Sequence, residues 1–238
     1  MINKTIHYCW FGGNKKPKIV EKCIKSWKKF CPDYKIIEWN ENNFDINCNK
    51  FVKDAYEKKA WAFVSDYARL KVIYEYGGIY LDTDVELIKK IDDLLVNDFY
   101  IGIQQLGNYA NTGLGFGAVK ENAIVKEMLE VYDEIEFNYE DMNSIACPTL
   151  NSKVLKNNNF SLELDIEKIG KATVYSPKYF DPVSPGNTLN LLCDDTYSIH
   201  HYSASWTTTT SQLKRKIVNF IGQENVNKIK QKIKAKEK

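Results

Sequence analysis

Apolar positions change period twice within the first forty residues. Residues 5–10 (TIHYCW) form a short β-type run closed by Phe11, Gly12 and Gly13. From Pro17 onward, Val20, Ile24 and Trp27 recur at the spacing of one helical face. Residues 34–40 (YKIIEWN) return to a strand pattern after the Cys31-Pro32-Asp33 turn. Strand, helix, strand, with further alternation behind it, predicts an α/β fold with a largely parallel sheet.

The clearest helix spans 61–76 and is stopped by Gly77 and Gly78. At roughly 100° per residue, Lys71 and Glu75 share one strip, while Val64, Tyr67, Ala68, Leu70 and Val72 spread around the rest. Such a helix is mostly buried. Its other charges, Asp66 and Arg69, lie three apart on the opposite side, flanking Ile73, and a charged pair turned inward must be compensated or face a cleft. Further on, the pattern predicts strands at 99–105 and 113–119, helices at 122–137 and 149–156, a strand-and-turn region at 172–187, a strand at 197–202 and helical pieces at 211–221 and 224–236.

Composition changes little in this picture. Hydrophobic residues make up 44% and charged residues 27% of the 238, as in ordinary globular proteins, so one large domain with a sizeable core is expected. Fifteen tyrosines and five tryptophans suit stacking on rings or sugars. Charge is more informative: residues 213–238 hold eight Lys and one Arg against two Glu, so a net +2 divides into a body of −5 (1–212) and a tail of +7 (213–238). In the tail, Ile217, Phe220 and Ile221 form one apolar group and Val226, Ile229 and Ile233 another. Such a segment can lie on an anionic membrane surface or simply form a solvated helical tail over the domain edge. Basic residues are not interleaved with aromatics expected to be exposed elsewhere, which argues against nucleic acid as a partner.

Six cysteines, at 9, 23, 31, 48, 147 and 193, show no CxxC pair and no zinc spacing. With neither a signal-peptide core nor an apolar run long enough to span a bilayer, the expectation is a cytoplasmic protein with reduced thiols and at most peripheral membrane contact.

The chemistry concentrates in YEYGGIYLDTDVE, residues 74–86: two glycines, a short apolar strand, then Asp82 and Asp84 one residue apart. On a strand, residues i and i+2 share a side, so both carboxylates converge past its carboxyl end, where open α/β sheets bind ligands. Two close carboxylates repel unless a cation or donor lies between them, and hard oxygens suit Mg²⁺ or Mn²⁺. Three readings are open from this pattern. Asp82 can cap a turn with Asp84 solvated. An apolar strand ending in Asp-x-Asp also serves haloacid-dehalogenase-like phosphatases, with LLCDD (191–195) as their later acidic motif. The third is a nucleotide-sugar glycosyltransferase whose Asp-x-Asp holds a divalent ion on the diphosphate.

Taken together, IHYCWFGG (6–13), AFVSDYARLKVIYEYGGIYLDTDVE (62–86) and IHHYSASW (199–206) resemble glycosyltransferase family 32. The resemblance implies a GT-A fold over 1–212, a divalent cation (Mn²⁺ or Mg²⁺), a nucleotide-sugar donor, a glycan or lipid-linked acceptor in surface or capsular polysaccharide synthesis, and transfer of a hexose with retention. It makes Asp66, Arg69 and Asn111 the catalytic candidates. Trp10, Ser65, Tyr80, Asp82, Ser205 and Trp206 become donor-binding candidates, and Asp84, Asp82 and His201 metal-ligand candidates. A UDP-hexose, galactose or glucose, is favoured, with GDP-mannose behind it. A module that binds sugar nucleotides without turnover is the non-enzymatic alternative.

Overall fold

The computed structural model describes residues 1–142, 144–184 and 189–203. The segment 204–238, and with it the expected basic tail and its two helical pieces, lies outside the described residues.

Alternation along the strands sets two faces of one central sheet. In β1 (Thr5–Cys9), Ile6 and Tyr8 enter one buried cluster and Cys9 the other. In the same way Ile79 and Tyr80 of β3 (Gly78–Tyr80), and Tyr100 and Ile101 of β5 (Phe99–Gly102), part to opposite sides. Helix α1 (Lys18–Phe30) covers one face, and Trp27, fully buried there, donates its indole N–H to the Val85 carbonyl at 2.8 Å. Helices α2 (Lys50–Glu57), α3 (Trp61–Tyr76), α4 (Ala123–Asp133) and α5 (Cys147–Asn157) cover the other.

With β2 (Lys35–Trp39), β6 (Phe116–Ala118), β7 (Ile166–Ile169) and β8 (Ala172–Tyr175), the sheet order is β2-β1-β3-β6-β5-β8-β7. The expectation of a largely parallel sheet holds for three of its six pairings. β1 is parallel to β2 and β3, and β5 to β8, but β6 runs antiparallel to both its neighbours and β7 antiparallel to β8. Parallel neighbours need a crossover, which α1 and then α2 with α3 supply; residues 103–115, between β5 and β6, contain no helix, and the chain turns back on itself. A separate two-stranded ribbon joins β4 (Val85–Leu87) to β9 (Ser198–His200), and a short helix, α6 (Pro177–Phe180), precedes β9. Among the described residues no helix is long and apolar enough to cross a membrane.

The turn from α3 into β3 positions the site. Gly78 has φ +107°, and a Cβ there would come within 2.7 Å of the Thr5 carbonyl oxygen, so only glycine lets β3 lie this close to β1. His7 fastens the same turn. Its Nε2 lies 3.0 Å from the Gly77 carbonyl and its Nδ1 accepts the Trp39 indole N–H at 3.0 Å. This pattern requires the neutral ring with the proton on Nε2. Burial pushes the imidazole pKa down to about 4 from 6.5. The unfolded chain therefore binds the extra proton first as pH falls, and stability drops through that window by up to roughly 3 kcal/mol. His7→Gln, which titrates no proton, is expected to flatten this part of the curve. Urea unfolding of both proteins from pH 7 to pH 4 checks it, and parallel curves would refute the assignment.

Candidate active site

Helix α3 carries Asp66 and Arg69 to the buried side, one turn apart. The Arg69 guanidinium is 4% exposed and lies between two carboxylates: its Nη2 is 3.1 Å from Asp66 Oδ1 and 3.1 Å from Asp82 Oδ1. Its Nε donates to the Ser65 carbonyl at 3.1 Å, its Nη1 approaches Thr112 Oγ1 at 3.4 Å and Cys147 Sγ at 3.7 Å, and its plane sits 5.0 Å from the Tyr80 ring centroid. Burial opposes the charge on Arg69, but Asp82, Tyr80 and Asp66 outweigh it and hold the guanidinium firmly protonated. For Asp66 and Asp82 the balance goes the other way: burial raises both carboxyls, and the Arg69 charge only partly restores them.

Asp82 and Asp84 do not sit on a strand. β3 ends at Tyr80, and the chain turns, with the Val85 N–H donating to the Asp82 carbonyl at 3.0 Å. Their convergence thus comes from a turn between β3 and β4, where the sequence suggested strand alternation. Both readings put them past the carboxyl end of β3. Asp82 Oδ1 also accepts the Tyr80 hydroxyl at 3.0 Å. Gly113 leaves room for the other oxygen, since a Cβ on it would fall 2.5 Å from Asp82 Oδ2.

Asp84 is gripped by residues more than a hundred positions away. β9 pairs Val85 with His200, which brings His200 Nε2 to 3.0 Å from Asp84 Oδ1. The Ser203 N–H and hydroxyl donate to Asp84 Oδ2 at 2.7 and 2.9 Å. Burial raises the Asp84 carboxyl, but His200 and Ser203 prevail and hold it below the usual carboxylate range; reciprocally, Asp84 overcomes burial and raises the His200 imidazole. His201, the expected ligand, points away and meets Glu86 Oε2 at 2.8 Å. Neighbours on a strand face opposite sides, and the β4–β9 register hands the aspartates to His200.

Asp82, Asp84 and His200 each offer one atom to a common point, with all three atoms within 4.8 Å of one another. Two carboxylate oxygens and an imidazole nitrogen are a fitting set for Mn²⁺ or Mg²⁺, with Mn²⁺ the better match to nitrogen.

Asn111 lies beside this group: its Oδ1 accepts the Gly113 N–H at 2.7 Å and its Nδ2 donates to Gln104 at 3.0 Å. Trp10, at the end of β1, is half-buried, with its indole N–H on the Asn14 carbonyl at 2.7 Å and the Lys16 ammonium 5.7 Å from the ring centroid. Ser205 and Trp206 lie outside the described residues. Sequence reasoning missed Thr112, Cys147 and Ser203. Cys147-Pro148 opens α5, and the Cys147 thiol contacts Asn111, Thr112 and Arg69. Asp194 and Asp195, the acidic pair needed for a phosphatase, are exposed and not part of this group; Asp195 lies 3.7 Å from Lys178.

Residues 17–100 match the model of a glycosyltransferase sugar-binding region containing a DXD motif. Over 149 residues the chain is 28% identical to inositol phosphoceramide mannosyltransferase 3 of Schizosaccharomyces pombe; the match covers 58% of this chain but only 39% of that protein. Over 219 residues it is 25% identical to an uncharacterized glycosyltransferase, L373, of Acanthamoeba polyphaga mimivirus, covering 87% and 84% of the two. Among solved structures, the PaToxG glycosyltransferase superposes with a TM-score of 0.51 at 20% identity, over 68% of this chain and 75% of that one. Residues 17–100 thus match the DXD-containing sugar-binding region of glycosyltransferases, and the chain has a GT-A fold.

Proposed function

We propose that this protein is a metal-dependent glycosyltransferase that moves a hexose from a nucleotide sugar to a glycan or lipid-linked acceptor, with retention at the anomeric carbon. The observation that carries the reading is the meeting of Asp82, Asp84 and His200 beside the buried Asp66–Arg69 pair. Asp84 and His200, with Asp82, would hold Mn²⁺ or Mg²⁺. Once bound, the ion offsets negative charge on the departing diphosphate as a Lewis acid.

The chain's own residues do the rest. Trp10 offers an aromatic face to the base, with the Lys16 ammonium, paired to Glu38 at 2.7 Å, beside its ring. Tyr80 and Ser65 flank the donor, while Arg69, fixed and fully charged, supplies donors for phosphate or sugar oxygens. Asp66 and Asn111 offer acceptors to sugar hydroxyls. No carboxylate is marked as a nucleophile: Asp66 and Asp82 are both tied to Arg69. Attack on the face the phosphate leaves, with that phosphate accepting the proton, is therefore the simplest retaining route. UDP-galactose and UDP-glucose are the favoured donors, and GDP-mannose gains weight from the mannosyltransferase relative. That relative's name also supports a lipid-borne acceptor. Capsular or surface polysaccharide synthesis at the inner face of the membrane is the setting we favour.

Nucleoside diphosphate release from a panel of UDP- and GDP-sugars with Mn²⁺ tests the reading. One donor is expected to be turned over, EDTA to stop it, and Asp84→Asn to slow it about a hundredfold, or roughly 2.7 kcal/mol of barrier. Phosphate freed from a phosphomonoester, with every sugar nucleotide intact, would refute it. A second expectation concerns Arg69. Arg69→Met leaves the buried Asp66 and the half-buried Asp82 without their counter-charge and is expected to cost about 3 kcal/mol in chemical denaturation. A loss under 1 kcal/mol would show that the triad does not bind the two elements together.

A further inference from the structure

One carboxylate oxygen joins the two loops that flank the candidate metal site. Asp181, fully buried just after α6, accepts the Gln105 N–H at 2.8 Å and the Tyr202 hydroxyl at 2.7 Å, both on Oδ2. Gln105 belongs to the 103–115 excursion that carries Asn111, and its amide adds bonds to the carbonyls of Asp181 at 3.3 Å and Pro182 at 3.0 Å. Tyr202 stands between His200 and Ser203, the two residues that contact the Asp84 carboxylate. The donor-site and metal-ligand readings assign no role to Asp181, or to Tyr202 within the 199–206 motif.

Two further observations give these residues a task. Tyr202 has φ +48°, a left-handed conformation that a tyrosine seldom adopts. That twist lets the segment place the His200 imidazole on Oδ1 and the Ser203 N–H on Oδ2 of one carboxylate. The second concerns His200. A histidine that ligates through one nitrogen is ordinarily oriented by an acceptor on the other. His200 Nδ1 is buried with no hydrogen-bond partner among the described residues. Its orientation falls instead to the Tyr202 ring, whose centroid is 4.0 Å away.

We propose that Asp181 and Tyr202 form a latch that holds His200 and Ser203 on Asp84, making both positioning residues for the divalent-ion site. The inference rests on the reading of Asp84 and His200 as ligands. Through Gln105, the same oxygen ties the Asn111 side of the cleft to the metal side, so donor sugar and ion are registered against one buried atom.

Electron paramagnetic resonance of free Mn²⁺, titrated into the full chain, tests it without reference to turnover. The native protein is expected to show one tight site that Asp84→Asn abolishes. Tyr202→Phe, which deletes a single oxygen, is expected to raise the Kd about tenfold, the scale on which orienting partners act, with an unchanged thermal unfolding midpoint. Asp181→Asn is expected to do at least as much; should it fail to fold, Tyr202→Phe alone decides. Native Mn²⁺ affinity in Tyr202→Phe would overturn the latch while leaving the metal site standing. A lowered midpoint with native affinity would reduce the pair to structural support and overturn it equally. Failure of the native chain to bind Mn²⁺ would refute the metal reading itself, and the latch with it.

Discussion

A single buried guanidinium sets the terms for the rest of this molecule. Arg69 cannot give up its proton in any accessible range, so folding it into the interior requires negative partners in place. One, Asp66, comes from its own helix; the other, Asp82, comes from beyond the end of β3. The second contact makes the site conditional on the fold. α3 must end at Gly77, turn through Gly78 and return as β3 for Asp82 to arrive, and His7 and Trp39 hold that turn from the neighbouring strands. The price of desolvating three charged groups is met by this network of bonds, and the cleft keeps charge where an apolar core would have been more stable.

The sheet explains why the cleft lies here. β3 ends the parallel run β2-β1-β3, and β6 beside it runs antiparallel to both its neighbours. At that change the chain beyond β3 is not drawn along the sheet. It leaves through the 81–84 turn and pairs as β4 with β9 in a separate ribbon. Opposite it, the excursion from β5 to β6 brings Asn111, Thr112 and Gly113 to the same place. The site thus draws on α3 and on two segments that depart the sheet in different directions.

Much of this was legible in the chain. The 61–76 helix, its inward charges and its glycine stop follow from periodicity alone, since a helix apolar nearly all round must bury whatever polar groups remain. What stayed hidden depends on pairings distant in sequence. Nothing local tells a reader which of His200 and His201 faces the aspartates; the β4–β9 register decides it, and a shift of one residue would exchange them. The Asp82–Asp84 turn was read as strand because three apolar residues before it carry the same signal in either case. β6 defeated the parallel reading because its orientation is set by the missing helix in 103–115, not by its own composition.

The candidate metal-ligand set draws on Asp82, Asp84 and His200, with Ser203 beside them, so its parts meet across more than a hundred positions of sequence. This places the ordering of the site late: the β4–β9 ribbon has only three pairs and cannot persist by itself. The Trp27 indole on the Val85 carbonyl anchors it under β4, and the Asp181 carboxylate on Tyr202 orients the segment beyond β9. A short strand pair tied at both ends suits the proposed metal site, because an ion held by Asp84 and His200 would join the β4 side to the β9 side and add to the ribbon's local stability.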